Sequence, residues 1–117
     1  MLVAQPDGRD RDRDGIRTRL VAAEAACKAA RLLVYQAIDA RAKGQPQDLA
    51  VSLARVAIVR SERIVAELTL DLLEDECLER DSMGNGQLKT AMIAGLGGGS
   101  VEVQLNMIAR ALLGSGR

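Results

Sequence analysis

The sequence has no histidine, phenylalanine or tryptophan, and Tyr35 is its only aromatic residue. Without histidine, and with Cys27 and Cys77 as the only cysteines, it lacks the ligand set of the usual zinc sites. It also lacks the paired nucleophile and base by which many enzymes work without a cofactor. A cofactor-free enzyme would have to use Glu24, Glu67 or the acidic residues near position 75, and we consider this the weakest interpretation.

Net charge and long apolar runs are absent too. Sixteen basic and sixteen acidic residues cancel, so the totals give no electrostatic signal for nucleic acid or a membrane surface. No apolar run approaches the roughly 20 residues that a membrane span needs, and the N-terminus has no signal-peptide core. We therefore expect a cytoplasmic protein with two free, buried or half-buried thiols.

What the sequence does contain is aliphatic and charged. Apolar residues make up 48% and charged residues 27% of the 117 positions, and no segment shows the alternation of a strand. Residues 1–15 mix Gly, Pro and alternating Arg and Asp, so we predict a flexible charged leader there. Residues 16–117 are then predicted to form one helical domain.

Apolar residues recur at helical spacing from Ile16, and Gly44 followed by Pro46 predicts the end of a first long helix over about 16–43. A second helix, over about 48–78, is predicted to carry four charged residues on its outer faces: Arg55, Arg60, Arg63 and Glu67.

Two short helices complete the predicted pattern. A turn over 81–86 precedes a third helix over about 87–94, and Ser100 is a good N-cap for the last helix. The buried side of that last helix is predicted to consist of Val103, Met107, Ile108, Ala111 and Leu112. The fold class is therefore an all-α, antiparallel (up-and-down) bundle of two long and two short helices. Because its core is thin, we expect an exposed apolar face and self-association.

An acidic cluster falls near the end of the second predicted helix, where the helix dipole disfavours negative charge. It consists of Asp71, Glu74, Asp75, Glu76 and Glu79. A solvated helix end is the simplest explanation, followed by a site for a basic partner and then by a metal site.

The most informative stretch is Gly97–Gly114, a glycine loop that runs directly into a helix N-terminus. Free backbone N–H groups and the positive end of the helix dipole there favour a bound anion such as a phosphate. A plain connection has the same pattern, so this signal is weak by itself.

The same stretch resembles the closing signature of acyl-CoA dehydrogenases, with the Leu113-Gly114 pair at its end. The order and spacing of residues 29–33, 40–44 and the second long helix are also similar to that family. The resemblance implies the family's C-terminal helical domain. It implies FAD-dependent α,β-dehydrogenation of acyl-CoA thioesters, in fatty acid metabolism, as the activity of the whole enzyme. By position, the implied FAD-contacting residues are Gly98, Gly99, Ser100, Glu102 and Gln104.

The sequence departs from the family pattern at two places. Many members have the catalytic glutamate where this chain has Gly98, and a glycine cannot accept a proton. The family also has a Gln followed by a Gly-Gly turn at the end of the second long helix, where this chain reads 71–75, Asp-Leu-Leu-Glu-Asp. The family's other two domains, which supply most of the acyl-CoA and flavin pocket, have no counterpart in these residues.

Two hypotheses follow. The first is a C-terminal domain or subunit of an acyl-CoA dehydrogenase-type flavoprotein, inactive alone, that contributes flavin-site and oligomer contacts as a homo-oligomer or beside a paired subunit. The second is a non-catalytic helical interaction module derived from that fold.

Overall fold

The computed structural model describes residues 8–94 and 100–114, with side chains from residue 13 onward. The described residues form four α-helices and no strand: α1 Gly8–Ala42, α2 Asp48–Leu73, α3 Met83–Ala94 and α4 Val101–Leu113. A short 3₁₀ helix, Glu74–Leu78, lies between α2 and α3. Two long and two short helices confirm the predicted all-α class.

The interface between α1 and α2 is made largely of small residues. α1 contacts no described element other than α2, so the residues it buries, Ala23, Ala30 and Ala37, are buried against that helix. Ala54 of α2 is also buried, and it lines the groove between the two helices. Small side chains allow two helix backbones to approach closely, as the alanine-rich stripe of the first helix predicts.

The first helix starts earlier than predicted. It begins at Gly8, not near Ile16, so helical structure extends into the segment expected to be a flexible leader. Arginine is a good helix former, and adding residues to an existing helix is much easier than starting one. The C-terminal end matches the prediction closely, because Gly44 has a φ of 66° and its N–H donates to the Arg41 carbonyl at 3.1 Å. The division of the chain at residue 16 stays a prediction.

The second helix ends at Leu73, five residues before the predicted end. Glu74, at a φ of 40°, breaks the helix, and the 3₁₀ helix starts there. Three residues of the acidic cluster, Glu74, Asp75 and Glu76, therefore lie in the first turn of a new helical segment. Acidic side chains are favourable at that end of a helix dipole, which removes most of the conflict found in the sequence.

The third helix starts at Met83, inside the segment predicted to be a turn. Ser82 explains the difference, because its Oγ accepts a hydrogen bond from the N–H of Asn85 at 3.1 Å, as an N-cap residue does. The two glycines that favoured a turn, Gly84 and Gly86, lie within the helix.

Cys77 anchors the start of α3 against the 3₁₀ helix. Its side chain is 1% exposed, its Sγ donates to the Thr69 carbonyl at 3.6 Å, and the Asn85 side chain donates to the Cys77 carbonyl at 3.0 Å. A Cβ at Gly84 would lie only 2.7 Å from this sulfur, so the close approach requires glycine. The expectation of a buried or half-buried thiol is wrong for Cys27, which is exposed.

The predicted inner face of α4 lies largely at the surface. Val103, Met107 and Leu112 are 51%, 43% and 69% exposed, and Gln104 is the one buried residue of α4. Because burial depends on a facing surface, helical spacing alone could not decide it. Within the described ranges, no helix is long and apolar enough to cross a membrane.

Candidate functional site

A groove of about 660 Å³ lies between α2, α3 and the N-terminus of α4. Its wall is mainly apolar, with Val59 and Leu70 of α2 and Leu88 of α3 among its residues. Four polar residues also line it: Arg63, Glu67, Ser100 and Glu102. The groove thus brings the predicted start of the last helix next to the middle of the second helix.

Ser100 forms the N-cap of α4, as predicted. Its backbone is extended, at φ −67° and ψ 157°, and its Oγ accepts a hydrogen bond from the Val103 N–H at 3.3 Å. One free N–H group of the helix end is therefore satisfied by the chain itself. Glu102 adds a carboxylate to the first turn, where it interacts favourably with the helix dipole.

The structure brings together only part of the predicted cofactor-binding set. Ser100 and Glu102 line the groove, whereas Gln104 is 8% exposed and buried within the bundle. Gly98 and Gly99 lie outside the described residues. The two accessible members therefore offer one hydroxyl group and one carboxylate.

Arg55 has a role that the sequence did not indicate. It was predicted on an outer face of the second helix, but its side chain is half-buried and its Nη2 donates to the Ala94 carbonyl at 2.7 Å. Ala94 is the last residue of α3, so this bond places a positive charge at the negative end of that helix dipole. The only hint in the sequence is that Arg55 lies between two apolar residues, Ala54 and Val56, which the structure shows to be buried.

A second polar contact joins the same two helices. The Nε2 of Gln87 donates to an Oε of Glu62 at 2.8 Å, in a part-buried position between α3 and α2. Sequence spacing could not have found it, because the two residues lie 25 positions apart.

The backbone at the end of α2 keeps a conformation that glycine favours. Glu74 has φ 40° and ψ −110°, and it falls within the segment where the resembled family has its Gly-Gly turn. A non-glycine residue with positive φ is strained, by roughly 1–3 kcal/mol. The neighbouring Asp71 forms an ion pair with Arg19 at 2.6 Å, which links α2 to α1.

The carboxylates considered for a cofactor-free reaction do not form a shared site. Glu24 is exposed on α1, where a hydrogen bond and the nearby charge of Lys28 lower the pKa of its carboxyl group. A lowered pKa makes a carboxylate a weaker base. Glu67 lies on α2 in the groove. Within the described residues, no group of three or more His, Cys, Asp or Glu side chains is placed to hold a metal ion.

The comparison with protein families decides the identity of this fold. The family model described as acyl-CoA dehydrogenase, C-terminal domain, matches residues 4–113. The chain belongs to the acyl-CoA dehydrogenase family. Neither a curated protein nor a solved structure gave a significant match to the chain.

Acyl-CoA dehydrogenases use FAD, so the groove can be tested against that cofactor. Its wall is mainly apolar, but it presents the carboxylates of Glu67 and Glu102 against the single guanidinium of Arg63. Those two carboxylates repel a pyrophosphate group, and at 4 Å the repulsion between two unit charges is about 4 kcal/mol in partly screened surroundings. The described residues of this acyl-CoA dehydrogenase domain therefore do not fit the phosphate part of FAD by themselves.

Proposed function

We propose that this chain serves as the C-terminal domain or subunit of an acyl-CoA dehydrogenase-type flavoprotein and is inactive on its own. The complete enzyme would carry out FAD-dependent α,β-dehydrogenation of acyl-CoA thioesters in fatty acid metabolism, in the cytoplasm. The observation that carries the proposal is the family match over residues 4–113.

The residues at the family's active-site loop explain the proposed inactivity. By resemblance, Gly98 matches the position of the catalytic glutamate in many members of the family, and glycine has no group that accepts a proton. The groove carboxylates, Glu67 and Glu102, lie on exposed helix surfaces. A competent subunit would therefore supply the base and the phosphate-binding part of the flavin site.

The proposed contribution of this chain to such a site comes from the start of α4. Gly98, Gly99, Ser100, Glu102 and Gln104 are proposed to form the side of the assembled site that approaches the flavin. Ser100 and Glu102 support this role by lining the groove, and Gln104 would support it from within the bundle by fixing α4.

Association with another subunit is the second part of the proposal, either a second copy or a paired acyl-CoA dehydrogenase subunit. Large apolar residues are exposed on the described helices, including Leu32, Ile93 and Leu113, which are each more than half exposed. Exposed apolar surface of this kind is typical of obligate interfaces, which are more hydrophobic than transient ones.

A non-catalytic interaction module is the alternative function. The exposed apolar residues of α4, on the same helix as the proposed flavin-facing residues, favour it. The two functions differ in one respect: only the first requires flavin in the final complex.

Flavin binding in two preparations tests the proposal. The purified chain should be colourless and should not quench FAD fluorescence in a titration. Co-expression with the protein encoded beside it should give a yellow complex of defined stoichiometry. A chain that alone binds about one FAD would contradict the proposal, and a colourless stable complex would favour the interaction module.

Two matched variants sharpen the experiment. Glu102→Gln removes a carboxylate from the groove, whereas Glu79→Gln removes one from an exposed position outside it. In the yellow complex, Glu102→Gln should change the flavin dissociation constant severalfold, and Glu79→Gln should leave it unchanged. Equal effects of the two variants would remove Glu102 from the flavin side of the site.

A further inference from the structure

A second groove, of about 260 Å³, lies between α1 and α2 near the connection that joins them. Its apolar wall includes Ile38 of α1 and Val51 and Ile58 of α2. Ile38 and Val51 are 58% and 47% exposed, so the wall is open to an occupant. The groove lies between α1 and α2, whereas the proposed flavin-facing groove lies between α2, α3 and α4.

The polar part of this groove is positively charged. Arg41 and Arg55 both line it, together with Gln47, and no carboxylate is found among its described lining residues. Among the described residues, Arg41 takes part in no ion pair. Two guanidinium groups beside an apolar wall, without a neutralising carboxylate, form an environment that favours an anion.

Arg55 contributes positive charge to the groove. Its Nη2 donates to the Ala94 carbonyl, and its Nε–H is buried without a hydrogen-bond partner among the described residues. Because the Nε atom has almost no exposed surface, a ligand cannot reach it, and Arg55 acts on an anion in the groove through its charge.

We propose that the groove between α1 and α2 binds an aliphatic monocarboxylate, with its carboxylate between Arg41 and Arg55 and its chain along Ile38, Val51 and Ile58. The groove volume of about 260 Å³ lies just below the roughly 300–1,000 Å³ of sites for drug-sized ligands, so it suits a small ligand. An inorganic anion would leave the apolar wall uncovered. A medium-length alkyl chain with one carboxylate matches both the wall and the charge.

Titration of the full chain with octanoate, followed by two-dimensional ¹H–¹⁵N NMR, tests this site. We expect saturable shifts of amides near positions 38–58, at concentrations on the order of a millimolar for so small a ligand. Octan-1-ol, which has the same chain without the charge, and inorganic phosphate, which has charge without the chain, should each bind at least about tenfold more weakly.

Arginine variants identify the contacts. Arg41→Gln should weaken octanoate binding about tenfold, whereas Arg17→Gln, an exposed arginine near the other end of α1, should have no effect. Arg55→Gln removes the second positive charge that lines the groove, and it should also weaken binding. Since Arg41 is exposed, its substitution is compatible with folding, and the variant remains informative if the Arg55 variant fails to fold.

Three results would overturn the proposal: equal binding of octan-1-ol, unchanged binding by Arg41→Gln, or shifts that do not saturate. Broadening of the same amides with protein concentration in the absence of octanoate would identify a second copy of the chain as the occupant, which also overturns it. Because none of these measurements involves flavin, their outcome is independent of the proposed enzymatic role.

Discussion

Helix α2 packs against α1 in one way and against α3 and α4 in another. Its contact with α1 is formed within the chain by small residues, with Ala23, Ala30 and Ala37 buried. The ion pair between Arg19 and Asp71 adds one exposed polar contact to that interface. The contact of α2 with α3 includes two part-buried hydrogen bonds, from Arg55 to Ala94 and from Gln87 to Glu62. Both short helices leave large apolar residues exposed, Met92 at 74% and Leu113 at 84%. The interface with α1 is therefore built from small buried residues and one ion pair, whereas the short helices expose large apolar residues that suit contact with another protein.

The largest expected effect concerns the alanine interface. Ala30→Asp places a charge without a partner against α2 and should lower the free energy of unfolding by about 3 kcal/mol or more. Ala29→Asp is the matched control, because the neighbouring residue is exposed, and it should cost only about 0.5 kcal/mol through helix propensity. Urea unfolding followed by circular dichroism measures both. Similar losses for the two variants would mean that α1 does not pack on α2 through this face.

The contact between α3 and the 3₁₀ helix should respond to added volume. Gly84→Ala places a Cβ 2.7 Å from the Cys77 sulfur and should lower the free energy of unfolding by about 1–2 kcal/mol. Gly86→Ala, in the same helix with open space around it, should raise that energy by about 0.5–1 kcal/mol.

The cause of the Gly84→Ala loss can be isolated by combining it with Cys77→Ala. In that background the added Cβ no longer meets the sulfur, so most of the loss should disappear. A loss of the same size in both backgrounds would show that the close approach to Cys77 is not its cause.

The smallest expected effect is a gain in stability at Glu74, where α2 ends and the 3₁₀ helix begins. Glu74→Gly relieves the positive φ and should raise the free energy of unfolding by about 0.5–1 kcal/mol, after the greater flexibility of glycine in the unfolded chain is subtracted. Glu76→Gly, in the same 3₁₀ helix without a positive φ, should lower it by a similar amount. Thermal unfolding followed by circular dichroism measures both changes. A lower free energy of unfolding for Glu74→Gly would contradict the interpretation that the backbone at Glu74 is strained.

Local signals predicted the helices well. Gly44 at the end of α1 and Ser100 at the start of α4 act through short-range backbone geometry, which the sequence shows directly. The sequence predicts the start of α3 too late because Gly84 and Gly86 favour a turn, whereas the capping hydroxyl of Ser82 sets the boundary at Met83.

Burial and the site could be predicted only in part. Val103 and Leu112 have helical spacing and yet are exposed, because a surface to cover them is not supplied by the described part of the chain. Helical spacing predicts Arg55 on an outer face of α2, because its acceptor, the Ala94 carbonyl, lies 39 positions away and leaves no local signal. Long-range partners decide such positions, and periodicity carries no information about them.

The mass of the chain in solution tests the central claim, that this helical domain is completed by another subunit, most directly. Light scattering over a range of concentrations, at conditions where circular dichroism shows a cooperative unfolding transition, gives this mass. The account predicts a mass of at least twice 12.5 kDa, or association with the co-expressed partner. A well-folded, cooperative monomer that does not associate with that partner would contradict it.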